Sequence, residues 1–332
     1  MEVNAEPRKI EYYHPLFHRR LLADVIDFIV LALIALLSFV GFRAAFASSA
    51  EYKFHSERMD QNRASSGLYY SSDGIYSLLS NYYPSNSGTL SSQEVMTLYE
   101  KGLDTFLVYL GNEVGQEAQS TVAKDYDDFR LSLTHEEVHY FISVNGKVEK
   151  NSAASMSYQL YSDEVYRPYY ADHAEGYFTV YAPHFIEDSK YFSTILLFIE
   201  IPCSVFIGAV LSLFVPPLFF KRGRQTLGKA LYKIGRVDSQ FLAVKLGRYC
   251  AESAILILAI VMLSCFTFGV PLLISFSLMA FSKKRQDFPD YMLGIEEIDL
   301  TDSKIFYSLE EAQITFVEHE NRHVDFVADK KE

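Results

Sequence analysis

Apolar residues in this chain gather into long unbroken windows instead of recurring at short amphipathic intervals. Leu21 to Phe42 is almost wholly apolar, and about 20 such residues are what a helix needs to cross a bilayer core. Phe192–Phe220 and Tyr249–Phe281 are two further windows. The last is long for one span and carries Gly269 and Pro271 beyond its middle. That punctuation predicts a break between two short membrane segments. The pattern predicts an α-helical multi-pass membrane protein of three or four spans, with membrane segments at 21–47, 192–220 and 249–281. The first window is read as a retained span, since it exceeds a signal-peptide core and lacks a small-residue cleavage pattern.

Between the first two windows lies a polar stretch, 48–190, long enough for one domain. Asn62–Ser92 is rich in Ser, Gly, Asn and Tyr and reads as irregular. Ser91-Ser92-Gln93-Glu94 resembles a capping box. Val95, Leu98, Tyr99, Leu103, Phe106, Leu107 and Leu110 then recur at helical spacing. Asn145-Gly146 sits between apolar runs as a hairpin turn, and Gly176–Ala182 (GYFTVYA) alternates like a strand. The insertion therefore reads as a large α+β extracytoplasmic domain. It holds 17 of the 24 tyrosines, which suit either a ligand-binding surface or rings packed inward with wet hydroxyls.

Charge orients the chain. The formal net charge is −12, which excludes nucleic acid as a partner. Segment 48–190 carries 10 Lys/Arg against 21 Asp/Glu. The tail 1–20 carries Arg8, Lys9, Arg19 and Arg20, segment 221–248 carries eight basic residues, and 282–285 is Ser-Lys-Lys-Arg. The positive-inside rule puts these three basic pieces in the cytoplasm and 48–190 outside. The acidic tail 282–332 has a partly helical pattern over Ser308–Val327 and falls inside with an even number of crossings. Localisation follows as a cell (plasma or inner) membrane with a cytoplasmic N-terminus. The three cysteines, Cys203, Cys250 and Cys265, all lie in apolar windows, so the insertion is not stapled by disulfides.

Candidate chemistry lies in three places. His135-Glu136-Glu137-Val138-His139 fits H-E-x-x-H, which on a helix puts both imidazoles on one face for zinc, with Glu136 as base. The alternation of 140–148 towards Asn145-Gly146 argues instead for an exposed charged segment. The second place is the membrane windows, where ionisable side chains are costly and mark ion or proton paths. Arg20, Asp24 and Asp27 share one helical stripe, with Arg20 paired to Asp24 and Asp27 about 10 Å deeper than Arg20. Glu252 opens the third window. Glu200 precedes Pro202, a residue that frees a carbonyl and thereby suits a cation site. Asp27, Asp24, Glu200 and Glu252 are the ion- or proton-binding candidates.

The third place is Arg224–Asp238. Its Thr226-Leu227-Gly228-Lys229 order is not a phosphate loop, and no cofactor motif stands elsewhere. Leu227, Ala230, Leu231 and Ile234 form an apolar stripe, with Lys229, Lys233 and Arg236 expected to face lipid headgroups. Here the chain resembles the RDD family of membrane proteins. The match runs through Arg20-x-x-Ala23-x-x-Ile26-Asp27, Gln225-Thr226-Leu227-Gly228-Lys229 with Gly235-Arg236-Val237, and Lys284-Arg285-Gln286-Asp287-Phe288-Pro289-Asp290. By motif position the naming arginine and aspartates are Arg20, Asp27 and Asp290. Pro289 stands where His is common, and Gly294-Ile295 replaces a usual Gly-Thr. The resemblance implies sodium/proton antiport and does not extend to the insertion. The expected protein is non-enzymatic and embedded in lipid. It works as a cation/proton exchanger, plausibly as a homodimer, or as an envelope binding or scaffold protein that recognises a ligand through the insertion.

Overall fold

A computed structural model describes residues 12–81, 90–135, 138–154, 157–281, 286–301 and 303–315. Glu136, the basic 282–285 segment, residues 82–89 of the Ser/Tyr-rich stretch and the tail beyond Thr315 lie outside the described residues. The chain divides into two compact units, Met1–Ala45 with Leu196–Glu332, and Phe46–Ile195. Among the described residues three helices are long and apolar enough to cross a membrane: α1 (Phe17–Ser48), α6 (Phe185–Phe219) and α8 (Leu246–Phe266). The molecule is a membrane protein by this measure.

In the membrane unit, α1 buries Arg20, Ala23, Asp27, Leu31 and Ala35, spaced three or four apart as one stripe. Around that stripe Ile29, Leu33 and Leu37 stay exposed, as lipid-facing side chains do. Small residues set how close other segments come. A Cβ on Gly208 would fall 2.8 Å from the Leu31 carbonyl, and one on Gly228 would fall 2.0 Å from the Ala23 carbonyl. Helix α6 is π-helical over Ile195–Glu200, just before Pro202, and again over Val210–Phe214, before Pro216 and Pro217. Wide turns of this kind accommodate a missing N–H.

The break in the third window is present. Helix α8 closes at Phe266, and Phe268 (φ 51°) and Gly269 (φ 82°) turn the backbone. Helix α9 (Val270–Phe281) then runs 12 residues, about 18 Å by helical rise and short of a ~30 Å bilayer core.

Beyond the spans, the short helix α7 (Leu227–Leu231) starts at Thr226, whose hydroxyl accepts from the Lys229 N–H. Strand β7 (Ile234–Val237) pairs antiparallel with β8 (Glu296–Asp299), setting Arg236 opposite Glu297. Helix α10 (Phe288–Leu293) is capped by Asp287, whose Oδ1 accepts from the Asp290 N–H at 2.9 Å, and stops at Gly294 with φ 61°. Two motif glutamines hold this small sheet in place: Gln225 donates to the Ile234 carbonyl at 2.8 Å and Gln286 to that of Ile295 at 2.7 Å.

This overturns the interfacial reading of Arg224–Asp238. Residues 227–237 form a five-residue helix and a buried strand, so Ile234 enters the core while Leu231 is exposed. Lys229 and Arg236 point inward, towards carboxylates and away from headgroups.

Among the described residues the insertion unit is mainly helical, with its strands in three small hairpins. Helix α2 (Ala50–Ser66) is capped by Ser49 and fills the first part of the stretch read as irregular. Hairpin β1 (Tyr69–Ser72) and β2 (Ile75–Leu78) follows. Helix α3 (Ser92–Glu113) opens on the expected capping box, with the Ser91 N–H donating to Glu94 at 2.8 Å. Helix α4 (Gln116–Ser132) folds back through Gly115.

Next comes the two-residue ladder β3 (Thr134–His135) and β4 (Val138–His139). Hairpin β5 (Phe141–Val144) and β6 (Lys147–Lys150) turns at Asn145-Gly146, both with positive φ. GYFTVYA is not a strand. Glu175–Tyr181 is the last part of a helical run over 158–181, because burying Phe178 and Ala174 against the helical core overrides local β-propensity.

Tyr99, Tyr109, Tyr126, Tyr140, Tyr161, Tyr166, Tyr169 and Tyr170 belong to the core of this unit. Their hydroxyls are tethered where they emerge. Tyr170 donates to the Tyr99 carbonyl at 2.9 Å, Tyr166 to Glu100 at 2.5 Å, and Tyr140 to Glu164 at 2.9 Å. A buried Asp188 joins α6 to α2. It accepts from Arg58 Nε at 2.9 Å and contacts His55 Nδ1 at 2.6 Å.

Candidate functional site

The zinc motif fails on geometry. His135 and His139 lie on paired strands of a two-residue ladder, with Thr134 opposite His139, so they do not share a helix face. His139 Nδ1 contacts the Leu131 carbonyl at 3.2 Å. Among the described residues, no three His, Cys, Asp or Glu side chains gather in a group able to hold a metal ion.

The membrane unit instead concentrates its charge. Arg20, Lys229 and Arg236 are buried together with Asp27, Glu252, Asp290 and Glu297, and Asp24 and Asp287 stand half-buried beside them. Glu297 is the hub: Arg20 pairs with one of its oxygens and Lys229 Nζ lies 2.6 Å from the other. Arg236 pairs with Glu252 at 2.5 Å. Burial by itself would raise the Glu297 carboxyl, but Lys229, Arg20 and Arg236 outweigh it and hold it at about 2. Burial would also lower Lys229, and it too is overruled, by Glu297, Asp24 and Asp290, which keep the ammonium charged.

Asp27 takes a different role from the one expected of a free intramembrane acid. Its carboxylate accepts from the Thr226 hydroxyl and from the Gly228 N–H at 2.8 Å. It thus caps α7 from another helix, where the N-terminal N–H groups need acceptors. Glycine at 228 is what lets α7 approach α1 so closely. The family-motif residues Thr226, Gly228 and Asp27 are therefore one structural contact. Arg20, expected to pair with Asp24, is drawn to Glu297.

Asp290 is the exception in this neutralised cluster. It is 1% exposed, and neither carboxylate oxygen has a hydrogen-bond partner among the described residues. Burial first, then the carboxylates of Asp287 and Glu252, push its pKa well above the usual range, against the pull of Arg236 and Lys229. Among the described residues three cations face six carboxylates here, an excess of negative charge that further disfavours the Asp290 anion.

Glu200 does not join the cluster. It is fully buried, with Arg43 Nη1 at 3.6 Å, and its own carbonyl accepts from the Ser204 hydroxyl at 2.6 Å. Neither carboxylate oxygen of Glu200 has a hydrogen-bond partner among the described residues, so the Arg43 guanidinium is the countercharge it faces.

A cavity of about 200 Å³ opens beside the cluster, with Asp24, Asp27, Thr226, Lys229, Arg236 and Asp287 at one end and apolar side chains of α1, α8 and α9 around the rest. Sequence reading missed Glu297 and misplaced Arg236. Ile295-Glu296-Glu297-Ile298-Asp299-Leu300 does not alternate apolar and polar, so no local pattern singled out Glu297.

A cage of ion pairs on the ends of apolar helices defines a class: an integral membrane protein with an ionic core. The family match agrees. Residues 176–294, about a third of the chain, match the model of the RDD family, so that segment is similar to RDD-family proteins. Thr226, Gly228, Lys229 and Asp290 fall inside the match, and the fold brings Arg20 and Asp27 to it from α1. No curated protein and no solved structure matches the chain.

Proposed function

We propose that the membrane unit exchanges a proton for a cation at the ionic cluster. The observation behind this reading is Asp290, a fully buried carboxyl with no hydrogen-bond partner among the described residues, set against two further acids and two bases. One such group holds either a proton or a share of a cation's charge, which couples the two. Asp290 is the proton holder, Asp24 and Asp287 face the cavity as the cation side, and Asp27 is a positioning residue for α7. Glu297, Lys229, Arg20, Arg236 and Glu252 form the fixed frame. The protein is not an enzyme in this reading. It sits in a bacterial cell membrane with its basic segments in the cytoplasm and its acidic insertion outside, where the charge bias supports that orientation.

Reconstitution tests it. Vesicles holding the full chain and an internal pH dye should respond to added sodium or lithium, and Asp290→Asn should abolish the response. Silence of the unmodified protein, or a response untouched by Asp290→Asn, would refute the assignment. Recognition by the insertion has less support, because so many of its tyrosines are committed to its core.

A further inference from the structure

The cavity beside the cluster has a chemistry of its own. Its cations are already engaged, Lys229 by Glu297 at 2.6 Å and Arg236 by Glu252 at 2.5 Å. Asp27 is held by Thr226 and Gly228. Asp24 is different: it lines the cavity and forms no hydrogen bond or ion pair with a described residue. Asp287 lines it too, with Oδ1 spent on the Asp290 N–H. The open valence at this end is therefore negative. The walls are Phe28, Leu31, Ile260 and Met279, among other apolar side chains.

A divalent metal ion is a poor match, since such ions take about six oxygen ligands and gain nothing from a hydrocarbon wall. A cation that carries its own apolar body uses both halves. Its head offers N–H donors to the carboxylates, most strongly as a planar guanidinium in paired geometry. Its tail displaces water or lipid from the apolar walls, and the Phe28 ring adds a cation–π face near the head. At protein packing density a ~200 Å³ space holds a tail of roughly six to eight carbons.

We infer that this cavity binds an amphipathic organic cation, a guanidinium or primary amine with a short alkyl or aryl tail, its head at Asp24 and Asp287 and its body among Phe28, Leu31, Ile260 and Met279. The inference adds an organic cation to the alkali ions of the exchange reading above and rests on the same cluster, but its test measures binding and needs no flux.

Detergent-purified full-length protein is titrated calorimetrically with n-hexylguanidinium, with n-hexanol and hexanoate as neutral and anionic comparators of the same tail. Saturable binding of hexylguanidinium is expected, at least tenfold tighter than either comparator. Asp24→Asn should weaken it at least tenfold and Asp24→Glu should restore most of it. Ile260→Trp, which fills the apolar end, should weaken it as well and carries the comparison if Asp24→Asn does not fold. Equal binding of hexanol or hexanoate would mean that the space is an acyl-chain groove and would overturn the inference. So would affinity unchanged in both Asp24→Asn and Ile260→Trp. Binding without sodium- or lithium-driven proton movement would retire the alkali-ion exchange reading only. Proton movement with no hexylguanidinium binding would retire this inference only.

Discussion

The insertion unit and the membrane unit both bury polar atoms, and they satisfy them by different means. In the insertion the buried polar atoms are chiefly tyrosine hydroxyls, each at the end of a ring that supplies apolar area. The hydroxyls of Tyr166, Tyr170 and Tyr140 find acceptors at Glu100, the Tyr99 carbonyl and Glu164. Its buried carboxylate, Asp188, is held by His55 and Arg58, and Arg58 reaches on to the exposed Glu187 at 3.4 Å. In the membrane unit the buried polar atoms are full charges, neutralised collectively around Glu297. A neutral hydrogen bond is lost one at a time at modest cost. A charge network fails together, because removing one member leaves the others buried and unpaired.

That contrast sets the sizes of the expected effects. Glu297→Gln should be the most damaging single change, costing about 3–5 kcal/mol because Arg20 and Lys229 both lose their counter-charge. Denaturation of the detergent-solubilised protein measures it, and a loss below that of a tyrosine hydroxyl would erase the distinction between the units. Gly228→Ala comes next, at about 1–3 kcal/mol, since its Cβ would meet the backbone carbonyl of Ala23 and lift α7 off its Asp27 cap. The same melting experiment should show it, with Gly176→Ala in the insertion, where nothing lies within 4 Å, as the near-neutral companion.

Asp290→Asn should go the other way and stabilise by about 1–2 kcal/mol near neutral pH, by removing a carboxyl that burial disfavours as an anion. The sign depends on pH. Asp290 has a raised folded pKa, so its contribution to stability is complete below the ordinary carboxylate range and is lost as pH rises through the raised value. Glu297 has a depressed one. Its contribution is complete above the ordinary glutamate range and is lost as pH falls towards about 2. Melting curves from pH 3 to 9 should therefore show Asp290→Asn gaining on the unmodified protein as pH rises, while Glu297→Gln differs from it least at the acid end. A gap for Asp290→Asn that is constant with pH would contradict a titrating Asp290. Smallest of all, Tyr166→Phe should cost about 0.5–1.5 kcal/mol, the worth of one hydrogen bond in the aromatic core.

Much of the architecture is local, and local features were legible. The three long apolar windows answer to composition. The break at Gly269, the capping box at Ser91 and the turn at Asn145-Gly146 each follow from a few adjacent residues whose backbone needs are strong. The Arg20, Asp24 and Asp27 stripe is likewise a matter of helical spacing.

What composition and spacing could not convey is which charges meet. Arg20 and Glu297 lie 277 positions apart, as their numbers show. Nothing near Arg236 in the chain tells it to turn towards Glu252 instead of lipid. GYFTVYA alternates like a strand, and becomes helix because its neighbours in space are helices. The sequence by itself determined that this chain enters a membrane and where its helices begin and break, because hydrophobic length and capping act over a few residues. Only the tertiary structure decided that Asp27 is a cap, that Glu200 stands apart and that Asp290 is left unpartnered. Coulomb energy and desolvation depend on distances between remote segments, and those distances exist only once the helices have packed.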